Sequence, residues 1–161
     1  MSRNILKTML GVSAALILLL MADTATAQRR ESRGRLLNKA QVQAIVRRVE
    51  DRVDNFVKKF DKSLDRSRLN GSSKEDWLNR RAKDLERATD ELRREFDRRD
   101  AWIENKAEVR SCLNIASDID RNMRSYRFGA AAEANWARVR YELNSLADVY
   151  NLPRVGAMAY N

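Results

Sequence analysis

The sequence predicts an all-α protein folded as an antiparallel up-down four-helix bundle, and three observations carry that prediction. The chain has 161 residues but only five Gly and one Pro, the residues that most often interrupt helices. Its apolar residues recur at alternating steps of three and four, the period of a helix with one buried face. No segment keeps the strict apolar–polar alternation of a half-buried strand.

A segment of a different kind precedes the helices. Arg3 and Lys7 stand before an uncharged stretch from Met9 to Ala22, and small residues at Ala25 and Ala27 follow. A charged head, an apolar middle and an A-x-A exit are the parts of a secretory signal peptide. Residues 1–27 are therefore expected to be removed between Ala27 and Gln28. The apolar stretch is roughly 14 residues, against about 20 for a membrane span, so no transmembrane anchor is expected after cleavage. No Cys follows the apolar run, which argues against a lipid anchor. The protein is expected to be exported, either periplasmic or secreted.

Cleavage removes Arg3, Lys7 and Asp23, which lowers the formal net charge from +9 to +8. About 134 residues remain, a length suited to one domain with a real core. Residues 28–37 read as a flexible basic arm, with Arg29, Arg30, Arg33 and Arg35 grouped around Gly34. Those four arginines are the expected contact to an anionic surface. Residues 38–152 read as the bundle and 153–161 as a C-terminal tail.

The first helix should open at Asn38, with Gln41 completing a capping box. Its stripe is Val42, Val46, Val49, Val53, Phe56 and Phe60, widened by Ile45, Val57 and Leu64. Asn70-Gly71 is the expected stop, since Gly relieves left-handed strain at a C-terminal cap. Ser72 with Glu75, or Ser73 with Asp76, starts the second helix. Its stripe is Leu78, Ala82, Leu85, Thr89, Leu92 and Phe96, with Trp77 and Ala88 alongside. At Asp97-Arg98-Arg99-Asp100 the next inward position would be charged, so a turn or kink is placed there without help from Gly or Pro. The alternative keeps residues 73–126 as one helix in a three-helix coiled-coil hairpin. The third stripe is Trp102, Val109, Cys112, Ala116, Ile119, Met123 and Tyr126. Arg127-Phe128-Gly129 makes the next turn. The fourth stripe runs Ala132, Trp136, Val139, Leu143, Leu146 and Tyr150, and Pro153 ends it.

The sequence excludes more chemistry than it suggests. It has no His and one Cys, which removes Ser-His-Asp and Cys-His catalysis, haem ligation by His, the Glu-x-x-His di-iron pattern, and thiolate metal sites. No catalytic, cofactor or metal residue is expected. The lone Cys112 lies on the third stripe, so a buried thiol is expected in place of a disulfide between chains. Charges at i, i+4, such as Arg47–Asp51, Asp54–Lys58 and Asp90–Arg94, suggest a self-neutralising surface worth roughly 0.2–0.5 kcal/mol per pair. Charges from Asp61 to Arg68 are expected to order the first turn by ion pairing. For an exported chain, nucleic acid is not the expected partner despite the basic charge.

Two stretches carry a resemblance. One joins Leu64-Asp65-Arg66-Ser67-Arg68-Leu69-Asn70-Gly71 to Leu85-Glu86-Arg87-Ala88-Thr89-Asp90-Glu91-Leu92, and the other runs from Trp136 to Tyr150. Together they resemble an uncharacterised family of exported bacterial all-helical proteins. That resemblance implies compartment and fold and transfers no site residue. Leu37-Asn38-Lys39-Ala40-Gln41 is similar to the L-T-x-x-Q motif of periplasmic stress chaperones, with Asn in place of Thr. Three functions follow as expectations. The first is a non-enzymatic module that binds a protein partner or an anionic envelope component. The others are an ATP-independent holdase and a carboxylate-dependent hydrolase.

Overall fold

The computed structural model describes residues 37–157. Among them are four α-helices: α1 (Lys39–Asp65), α2 (Ser73–Arg98), α3 (Lys106–Ser125) and α4 (Ala130–Val149), with a short 3-10 turn at Trp102–Asn105 before α3. Each helix packs on its neighbours in the order α1–α2–α3–α4, and α4 closes the ring against α1. The architecture is the four-helix bundle that the apolar spacing predicts.

The inward faces match the stripes closely. Every α1 position from Val42 to Phe60 on the main stripe is buried, as is Leu64. All six α2 stripe residues are buried, from Leu78 to Phe96. Polar bonds across the helices then set the antiparallel register. Gln43 Nε2 donates to Asp97 at 2.8 Å, Arg93 to Glu50 at 3.0 Å and Asn79 to Asp61 at 2.8 Å. Arg81 to Asp118 ties α2 to α3, and Arg48 to Glu142 ties α1 to α4.

Helix ends follow from local chemistry. Asn38 and Gln41 form the reciprocal capping box, each bond 2.9 Å. Ser72 is the N-cap of α2, and its Oγ accepts from the Glu75 N–H. The α1 stop is a correction: the helix ends at Asp65, well before Asn70. Beyond Leu64 the next inward positions are Ser67 and Arg68, so further helix would bury nothing apolar. Ser67 Oγ instead accepts from the Leu69 N–H, a local bond that competes with the helix ladder. Gly71, at φ +74°, supplies the left-handed residue at the far end of the connection.

A single helix over residues 73–126 is also excluded. Arg99 leaves α2 in an extended conformation and nails the corner, donating to Glu104 O at 2.8 Å and to Glu108 at 2.8 Å. Asn105, fully buried, donates to Trp102 O, and Tyr150 Oη donates to that same carbonyl at 2.8 Å. Trp102 therefore precedes α3 and stacks edge-on with Tyr150.

The core continues past Pro153. Asn151, at φ +50°, follows the Tyr150 C-cap, and the Leu152 N–H reaches back to Ala147 O at 2.9 Å. These are the bonds of a Schellman ending with Asn in the left-handed position. Leu152 and Val155 are buried, so residues 152–157 form a strap. Val155 N–H donates to Asn144, and Gly156 O accepts from Arg124.

Three expected surface ion pairs are also corrected. None of Arg47–Asp51, Asp54–Lys58 and Asp90–Arg94 stands at salt-bridge distance among the described residues; Arg94 pairs with Glu91 one residue closer. Exposed pairs are weak enough for side-chain entropy to decide between such partners.

Candidate functional site

Because the helices alternate in direction, the α1–α2 and α3–α4 connections share one end of the bundle. Ser67, Arg68 and Leu69 from the first, with Ser125, Tyr126 and Arg127 from the second, line a single cleft. Tyr126 is its aromatic lining residue and lies against Phe128 at 6.3 Å; Phe128 is buried and meets Phe60 at 5.6 Å with the rings tilted. Leu69 packs partly against the same core.

Tyr126 corrects the expected core residue, since it is 38% exposed. The helix ends at Ser125, and Tyr126 turns extended at φ −127°, ψ 149°, so it leaves the inward stripe. Phe128, from the next turn, fills the core position in its place.

The cleft is rimmed by cations. Arg66, Arg68 and Arg127 are exposed, and among the described residues none of them is in an ion pair. The expected ion pairing of Arg66 and Arg68 with Asp61 and Asp65 is therefore corrected. Asp61 accepts from Asn79 instead. Glu75 is buried and accepts from the Gly71 N–H, so it holds the connection in shape. The three guanidinium groups stand exposed at this end of the bundle.

Other polar features have structural explanations. The Asp120 side chain is 2% exposed and holds three partners: Trp136 Nε1 at 2.9 Å, Arg140 at 3.1 Å and Arg124 at 2.7 Å. Gly156 covers this node at φ +79°, where an added Cβ would meet Arg124 Nη2 at 2.0 Å. Trp77 lies partly buried beneath two cations, Lys74 at 5.1 Å and Arg81 at 5.7 Å. Three acids have a shifted pKa: Glu50 and Asp97 share Arg93, at 3.0 Å each, and Glu108 pairs with Arg99. Burial raises Glu50 against the pull of Arg93. Burial also pushes Glu108 upward, but hydrogen bonds from Arg99 and its own backbone, with the Arg99 charge, hold it below the usual range. Hydrogen bonding from Gln43 lowers Asp97. No group of three acids or Cys able to hold a metal occurs among the described residues.

Cys112 is fully buried, as its stripe position predicts, and burial pushes its thiol up to about 12. A thiol reagent at about pH 8, near the ordinary Cys range, should leave the native protein unlabelled and label it fully in denaturant. Tyr150 is also raised by burial. Both groups are acids raised above their unfolded values, so stability is full below about pH 8.5 and falls above it. A denaturation midpoint that stays level between about pH 8 and pH 10 would contradict this reading.

The expected anionic contacts Arg29, Arg30, Arg33 and Arg35, and the cleavage site at Ala27 and Gln28, lie outside the described residues. The loop-end arginines were legible only through topology, because Arg68 and Arg127 meet by the alternation of helix direction and by no sequence motif. No described helix is long and apolar enough to cross a membrane. Comparison with family models, with curated proteins and with solved structures finds no match to this chain.

Proposed function

We propose that the protein is an exported, non-enzymatic helical module that binds an anionic partner through the loop end of its bundle. Export rests on the signal-like order of residues 1–27. The observation that carries the binding reading is the cleft between the two connections, lined by Tyr126 and Leu69, with arginines on its rim that stand in no ion pair among the described residues. Exposed arginines without partners raise the local concentration of anions and dock carboxylate or phosphate by a planar fork. A holdase gripping unfolded clients would need a broad apolar surface. The large hydrophobics exposed among the described residues, Ile103, Tyr126 and Tyr141, sit on separate parts of the bundle.

Two probes test the reading, poly-L-glutamate and vesicles containing phosphatidylglycerol. The protein should bind at least one of them, more weakly as salt rises. Arg68→Ala with Arg127→Ala should lower that affinity about tenfold. Arg110→Ala with Arg138→Ala, which removes the same charge elsewhere, should leave it nearly unchanged. Binding to neither probe, or equal losses in both double variants, would sink the proposal.

A further inference from the structure

We infer that the loop-end cleft takes a carboxylate-bearing peptide segment of a protein partner, one acidic side chain with an aromatic neighbour, in preference to a lipid surface. The inference rests on the anionic-partner reading above and names its chemistry. Shape is the first argument. Arg68 and Arg127 come from connections far apart in sequence yet line one concavity, which admits a side chain and excludes a flat bilayer. A guanidinium on each wall suits bidentate capture of a carboxylate.

Composition of the walls is the second argument. Binding to a membrane interface relies on apolar side chains that insert below the headgroups. Among the described residues, the large exposed hydrophobic at this end is Tyr126, which is 38% exposed and rests on Phe128. It forms a shelf, and nothing there protrudes as a wedge. Tyr and Arg are instead the residues that anchor protein interfaces.

Charge distribution is the third. Exposed acids, Asp65, Asp76 and Glu133, occupy the helix ends around the cleft. Lys62, Arg66 and Arg121 are exposed among them, so an extended anionic surface would meet charges of both signs and gain little from Arg68 and Arg127 in particular. A single peptide segment entering between the loops meets the arginines alone, and the surrounding acids then favour a partner that carries basic residues beside its acidic one.

The test uses a fluorescein-labelled peptide Lys-Ser-Glu-Tyr-Ser-Lys, its counterpart with Gln in place of Glu, and phosphatidylglycerol vesicles, with binding followed by anisotropy and co-sedimentation. The Glu peptide should bind saturably, and the Gln counterpart at least about tenfold more weakly. Arg68→Ala with Arg127→Ala should reduce peptide affinity by a similar factor, while Arg68→Lys with Arg127→Lys restores only part of it because the fork is lost. Vesicles should not displace the peptide. Vesicle binding through Arg68 and Arg127 without peptide binding would overturn the inference and leave the anionic-partner reading standing. Binding of neither probe removes both, and peptide binding unchanged in the double alanine variant removes the inference alone. The substituted arginines are exposed, so an unchanged circular dichroism melt shows that the fold is kept.

Discussion

Phe56→Ala should destabilise the protein by about 3–5 kcal/mol in chemical denaturation, the range for deleting a buried aromatic ring. Phe56 lies at the centre of an aromatic cluster, 4.6 Å from Phe60 and 5.1 Å from Trp136 between ring centroids. The cluster joins α1 to α4 and supports Phe128 beneath the loop-end cleft. Rigid helices on all sides prevent collapse around the missing ring, so the cavity persists and its cost adds to the lost burial. A bundle of this size has about 5–15 kcal/mol in total, so the alanine variant can lose its fold outright. Phe56→Leu, with a smaller void, should then show an intermediate loss of about 1–2 kcal/mol. Val57→Ala, on the half-buried edge of the same helix, should cost no more than about 1 kcal/mol. Equal costs at Phe56 and Val57 would mean that α1 does not present the face described.

Asp120→Ala is expected to cost about 2–4 kcal/mol, because it strips the shared acceptor from three donors at once. The Trp136 Nε1–H is the donor that suffers most, since the ring is buried and water cannot replace the carboxylate. Arg124 and Arg140 are partly exposed and recover some hydration, which keeps the cost below that of a fully buried pair. Asp120→Asn retains an oxygen for Trp136 and loses the charge, so about half the effect is expected. The strap should loosen with the node, because Gly156 O takes its bond from Arg124. Gly156→Ala attacks the same contact from the other side, by a clash with Arg124 and a left-handed φ. The two substitutions should therefore combine less than additively. Additive losses would show that strap and node are independent.

The bundle was legible because its helices follow one rule throughout. Every stripe residue in α2 and every main stripe residue in α1 is buried, as heptad-like spacing requires when one face alone is apolar. The corners were legible where a cap residue decides them, as at Asn38 and Ser72. They were misread where burial decides. Residues 66–70 have fair helix propensity, but α1 stops when Ser67 and Arg68 would face inward. The corner at Arg99 needs no Gly or Pro because a guanidinium satisfies the turn's own oxygens. Such bonds join residues five to nine apart through a bend, and hydrophobic periodicity carries no sign of them. Tyr126 and Phe128 exchange places for a related reason, since the stripe points inward only while the helix lasts.

The cleft was less legible than the fold. Arg68 and Arg127 are ordinary charges in a chain with 32 Lys and Arg, and neither sits in a motif. They come together because two connections share one end of the bundle, and, like Arg52 and Arg138, they stand in no ion pair among the described residues. That juxtaposition arises from tertiary structure. The sequence drew attention to the arginines of residues 28–37 because they are contiguous, whereas the loop-end group is assembled from two connections. Trp77 shows the converse. Its ring lies near a helix end, and Lys74 and Arg81 already cover it.

The central claim, that an anion binds at the loop end and not over the basic surface at large, is tested most directly by the two charge-matched double variants. Affinity for poly-L-glutamate and for phosphatidylglycerol vesicles is measured at low and at physiological salt. Arg68→Ala with Arg127→Ala should weaken the binding about tenfold and flatten its salt dependence, while Arg110→Ala with Arg138→Ala leaves both close to those of the parent. Identical curves for the two variants would mean that net charge alone governs binding, and the loop-end site would be contradicted.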